Sequence, residues 1–120
     1  MAFITIGSVG VTSVVIDSYV LDTLLPDLVG HDRQPSAFLV YLYLWRHTIG
    51  SDQVQIQASL QDITLGTGVS KRAVQAALGL LVRRKLLSVA RAGITAVPTY
   101  TVRRPWVRAQ RAASAAGHNR

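Results

Sequence analysis

The chain has 120 residues, 49% of them apolar and 16% charged, with a mean hydropathy of +0.28 and a formal net charge of +7. A disordered chain would show the reverse balance, so the composition describes one domain with a core of its own. There is no Cys, which excludes disulfide scaffolds, thiol chemistry and Cys-based zinc sites.

Residues 2–16 are β-branched and punctuated by glycine, a pattern that predicts one or two short strands, with a hairpin about Gly7-Ser8. From Ser18 to Val29 the residues Val20, Leu21, Leu24, Leu25 and Leu28 recur at helical spacing, and Pro26 interrupts that helix or marks its last turn. Gly30 to Pro35 reads as a loop, after which Ser36 is expected to cap a second helix ending near Thr48. Phe38 to Trp45 is apolar on every side of that helix, so the helix needs a cover on both faces. C-terminal helices would supply one cover, and the N-terminal segment or a second protomer the other. The longest apolar run, Ala37 to Trp45, is nine residues, against the roughly 20 that a membrane-spanning helix requires. No Lys or Arg stands in the first thirty residues, so no secretory leader is expected and the reading is a cytoplasmic domain.

After a loop over residues 49–52, Val54 and Ile56 alternate with glutamines as in a short strand. Ser59 to Asp62 has the spacing of a capping box and opens a short helix ending near Gly66. Ser70 caps the next helix, from Lys71 to about Arg84. Leu86–Arg91 and Val97–Arg103, separated by Ala92-Gly93-Ile94-Thr95-Ala96, predict a hairpin. The tail beyond Trp106 is Ala-rich and basic, and reads as a helix or a disordered arm.

Charge is segregated along the chain. All six acids are Asp and lie in the first 62 residues beside only Arg33 and Arg46, whereas the other 58 residues hold eleven cations and no acid. Such asymmetry points to a polyanion, most simply nucleic acid, for the C-terminal half.

The order helix, helix, strand, helix, helix, strand, strand, together with Gly68-Val69-Ser70, Val74, Leu78, Leu81, Arg83-Arg84 and Leu86-Leu87, resembles the winged helix-turn-helix DNA-binding proteins of bacteria and phage. Transcriptional regulators and replication-initiator domains are the nearest types. The resemblance implies an α+β fold, mainly helical with a β-hairpin wing, in which residues 36–104 form the winged domain. Residues 1–35 would be an N-terminal strand and helix extension that serves dimerisation, and 105–120 a basic tail. It also implies sequence-specific binding of double-stranded DNA by a homodimeric transcriptional regulator located at the nucleoid, with no cofactor and no enzymatic activity. The alternatives are a replication-initiator domain and a winged helix used only for protein contacts.

The residues themselves agree. Gly68 suits a turn that needs positive φ. Val74, Ala77, Leu78 and Leu81 share one arc of the helix, and Lys71, Arg72, Gln75, Gly79 and Arg83 share another. A basic and amide arc is what major-groove reading requires, because Arg and Lys pair with guanine and Gln with adenine. The expected DNA-binding residues are therefore Ser70, Lys71, Arg72, Gln75 and Arg83 on the helix, and Arg91, Arg103 and Arg104 on the wing. Gly79 would permit close approach of DNA or, better, of a neighbouring helix. Two positions depart from the family pattern: Ala73 stands where a Thr often meets phosphate, and Lys85 occupies the usual glycine position after the helix. His31, His47 and His118 are too scattered for a metal site. Asp17, Asp22, Asp27 and Asp32 recur every five residues, which rotates them by about 140° per step of an α-helix, so they read as solvated caps and loops.

Overall fold

A computed structural model describes residues 12–107. Most of the strand pattern over residues 2–16, and the tail from residue 108 on, lie outside the described residues; residues 12–16 form no strand. The rest is an α+β domain, mostly helical, with one small antiparallel sheet.

The first helical stretch is wound more widely than an α-helix. Its turns Val20–Leu24 and Asp27–His31 are π-helical, with the Leu25 N–H donating to the Val20 carbonyl and the Asp32 N–H to the Asp27 carbonyl. Pro26 stands between them; it has no N–H, and its ring would collide with the carbonyl four residues back, a conflict that wider winding relieves. The helical turns continue to His31, into the segment expected to be loop, and the chain reverses at Arg33 with φ of 53°.

Helix α1 is Pro35–His47, with Gln34 at the N-cap position but making no side-chain capping bond, so Ser36 is not its cap but a residue of the first turn. Proline explains the shift: its fixed φ suits the first helical position, where its missing N–H costs nothing. The expectation that α1 is buried on every side is corrected at Leu39, which is 46% exposed, although Phe38, Val40, Tyr41, Leu44 and Trp45 are all buried. The cover is intramolecular. Helix α3, Lys71–Arg83, packs on one part of α1, and the N-terminal turns on another, with Val20, Leu24 and Leu28 in the same core as Val40 and Leu44. The Trp45 indole N–H donates to the Val15 carbonyl at 2.9 Å and pins the incoming chain to α1. A second copy is therefore not needed to cover the buried side chains of α1.

The segment Ile49–Ser51 is a 3₁₀ turn, and strand β1 is only Ile56–Gln57. Helix α2, Leu60–Thr67, begins with the complete capping box: the Asp62 N–H donates to Ser59 Oγ at 3.1 Å and the Ser59 N–H to Asp62 Oδ2 at 2.9 Å. The Ser59 backbone N–H foremost, and the Ser59 hydroxyl next, hold the Asp62 carboxyl below its ordinary pKa. Gly66 lies under the Tyr43 ring, where a Cβ would collide with ring carbons unless the ring shifted, so α2 meets α1 across a close contact.

Strands β2, Leu87–Ala90, and β3, Thr99–Val102, form the expected hairpin, with Leu87 opposite Val102 and Val89 opposite Tyr100. Strand β1 pairs with the other side of β3, so the sheet order is β1-β3-β2 and β2 is an edge strand. Leu87, Tyr100 and Val102 face the core. No helix among the described residues is long and apolar enough to cross a membrane.

Candidate nucleic-acid interface

The turn into α3 is fixed by local bonds. Gly68 closes α2 with φ of 78°, a conformation costly for a residue bearing Cβ. Thr67 Oγ1 donates to the Ile63 carbonyl at 2.7 Å and accepts from the Val69 N–H at 3.1 Å. Ser70 Oγ accepts from the Ala73 N–H at 3.2 Å, which caps α3 and leaves the hydroxyl proton available to a further acceptor.

From that cap α3 runs with two unlike sides. Val74, Ala77, Leu78 and Leu81 are buried against the rest of the core, while Lys71, Arg72, Gln75 and Arg83 are exposed. Among the described residues no ion pair involves Lys71, Arg72 or Arg83, and α3 carries no acid. Gly79 is not a helix-packing position. A Cβ there would meet only the Arg83 guanidinium, at 3.5 Å, so the expected close approach of a neighbouring helix is absent among the described residues.

The hairpin adds two exposed cations. Arg91 Nη1 donates to the Ile94 carbonyl at 3.4 Å across the loop, and Arg103 Nε donates to Ser88 Oγ at 2.8 Å, which leaves both Arg103 Nη groups to other partners. Arg104, grouped with Arg103 in the sequence, points elsewhere. Its Nη1 donates to Asp17 Oδ2 at 3.2 Å, and its guanidinium lies 5.8 Å from the centre of the Trp45 ring. The alternation of a strand end separates the two: Arg103 shares the face of Ser88, and Arg104 turns to the face of the N-terminal segment.

Three aspartates that the α-helical period set aside as solvated are ion-pair partners. Asp17 accepts from Arg104 and, at 2.9 Å, from the Trp106 indole N–H; that indole stacks on Tyr19 at 4.6 Å. Asp27 and Asp32 both grip Arg84, at 3.3 and 3.0 Å. An i→i+5 bond places residues five apart one above the other, so the π-turn brings Asp27 and Asp32 to one guanidinium where an α-helix would splay them. Five-residue spacing next to Pro26 was the available signal. Arg84 and Arg104 are thereby neutralised at the seam with the N-terminal segment, and Lys71, Arg72, Arg83, Lys85, Arg91 and Arg103 remain outward.

At the turn after α3, Lys85 takes φ of 60°, so the position where the family pattern has glycine adopts the backbone of a glycine while keeping a cation. Its N–H donates to the Val82 carbonyl at 3.0 Å. No group of three or more potential metal ligands gathers among the described residues. Comparison with protein-family models, with curated proteins and with solved structures finds no match.

Proposed function

We propose that the chain binds double-stranded DNA as a winged helix-turn-helix protein, with α3 reading the major groove and the β2–β3 hairpin acting as a basic wing, in the service of transcriptional regulation. The observation that carries this reading is the outer side of α3: cations and an amide without an acid, on a helix whose other side is anchored in the core. Major-groove reading needs that combination, since a helix fits the groove, Arg or Lys can pair with guanine and Gln with adenine. The element order α1-β1-α2-α3-β2-β3 and the Gly68–Ser70 turn lend further support. Lys71, Arg72 and Gln75 would face base edges, with Arg83, Arg91, Arg103 and the Ser70 hydroxyl on phosphates. Arg104 drops out of that set because Asp17 holds it.

The test is selection of bound duplexes from a random pool at fixed salt, followed by titration of the selected site. With four or five phosphates neutralised, log K falls against log salt with a slope of about −4. Gln75→Ala relaxes preference at one base position, at a cost of about 1–3 kcal/mol there. A slope shallower than about −2, or a Gln75→Ala protein that ranks the selected site and its point variants as the parent does, refutes the reading. A palindromic selected site would fit a regulator, and direct repeats a replication initiator.

A further inference from the structure

Beside β2 lies an open depression of about 810 Å³, whose lining includes Val82, Lys85, Leu87, Ser88, Val89 and Arg103. The Arg103 N–H donates to the Leu86 carbonyl at 2.9 Å, which makes 86 and 103 a hydrogen-bonded pair of the antiparallel ladder. Alternation then makes 88 and 101 the next such pair, and turns the N–H and carbonyl groups of Leu87 and Val89 away from β3. Among the described residues these groups have no backbone partner. Both residues line the depression. An unpaired edge of this kind is a template for another strand.

We infer that this edge docks an extended acidic segment of another protein, which adds to the sheet as a fourth strand beside β2. Its backbone would meet the Leu87 and Val89 groups, its apolar side chains Val82 and Val89, and its carboxylates Lys85 and Arg103. Charge selects the occupant. Lys85 and Arg103 line the depression, no acid does, and the third cation there, Arg104, is already held by Asp17. A second copy of β2 is a poor occupant, because twofold pairing about Ser88 would set Lys85 against the partner copy's Arg91. Nucleic acid could share the Arg103 side chain, which the DNA reading places on a phosphate, but a phosphate backbone cannot complete the edge, since phosphates only accept hydrogen bonds and the Leu87 and Val89 carbonyls pair with donors. The backbone at Lys85 fits this reading: with φ of 60° a glycine would sit there with less strain, yet a cation lines the depression at that position. The inference does not depend on DNA binding by α3.

The experiment uses the full chain and a short capped peptide alternating Val and Glu, with the peptide alternating Val and Lys as control. Binding is read by fluorescence anisotropy and by amide hydrogen exchange. The acidic peptide should bind saturably and slow exchange at the Leu87 and Val89 amides, and the Lys peptide should do neither. Lys85→Gly, which removes the charge and relaxes the backbone, should weaken the acidic peptide by up to about fivefold. Val89→Pro removes an outward donor without touching the β2–β3 ladder, and should abolish the slowed exchange at Leu87. The inference is overturned if there is no saturable binding, if protection falls on Lys71–Arg83 instead, or if Lys85→Gly binds as the parent does. It is equally overturned if a random-sequence duplex protects Leu87 and Val89 as the peptide does, because the depression is then a nucleic-acid surface.

Discussion

Among the described residues the cations of the C-terminal half divide into two populations, and the division follows the fold more closely than the sequence. Arg84 and Arg104 lie at the seam with the N-terminal segment, each on Asp carboxylates and each partly shielded from solvent. Lys71, Arg72 and Arg83 lie on the far side of α3 with no acid partner among the described residues. Neighbours in the chain fall on opposite sides of the division, Arg83 from Arg84 and Arg103 from Arg104. Net charge therefore overstates what is available to a polyanion. It also follows that the Asp-rich N-terminal half is no separate acidic region, since half of its carboxylates hold the basic half in place.

Stability and binding should separate along the same line. The largest effect is expected at the seam: Trp106→Ala removes a buried indole, its stack on Tyr19 and its bond to Asp17, at a cost of about 3–5 kcal/mol by denaturant unfolding. The seam also weakens in alkali. Burial, foremost, holds the Tyr41 phenol neutral and raises its pKa above the ordinary 10.0, while its hydroxyl donates to the Arg103 carbonyl at 3.0 Å. The unfolded chain ionises Tyr41 near its ordinary value, so this contribution is full below that pH and is lost as pH rises beyond it. Thermal melts from neutral pH upward should show the decline, and Tyr41→Phe should lessen it.

Arg84→Ala comes next, at about 1–2 kcal/mol, a figure lowered by the partial exposure of the fork it makes. If Asp27→Ala in that background costs as much as it does alone, the fork contributes nothing. Gly79→Ala should raise stability by about 0.5–1 kcal/mol, because the added Cβ meets only Arg83 at ordinary contact distance and helix propensity improves. The smallest change in stability is expected for Lys71→Ala and Arg72→Ala, within about 0.5 kcal/mol, even though both should weaken DNA. A loss of stability at Lys71 or Arg72 as large as that at Arg84 would erase the distinction between the two populations.

What the sequence made legible was local. Ser59 and Asp62, Gly68, Ser70 and the buried arc Val74–Leu81 are interactions within a few residues, where spacing alone decides the geometry. The departure at Lys85 was also visible as a missing glycine, and the positive φ is its structural form. The illegible part was long-range or depended on a non-standard helical period. Asp17 and Arg104 are 87 residues apart, and Arg84 lies more than 50 residues from both of its aspartates. No pattern along the chain couples them. Ser36 misled because a strong capping residue followed a proline that fits the first turn better. The edge position of β2 among the described strands was hidden for another reason: which side of a four-residue strand lacks a neighbour is a property of the whole sheet.

The clasp at Asp17 has a consequence for protein engineering. One carboxylate accepts from both Arg104 and Trp106, so residues 17 and 104–106, at opposite ends of the described chain, are fastened within hydrogen-bond reach of each other. The described fold is thus a loop of chain whose two ends meet, the geometry that tolerates being spliced into a host protein or reopened at a new site. Bridging these ends with a short flexible linker and cutting in the exposed hairpin tip near Ile94 would give a permuted chain with the core contacts of α1 and α3 unchanged.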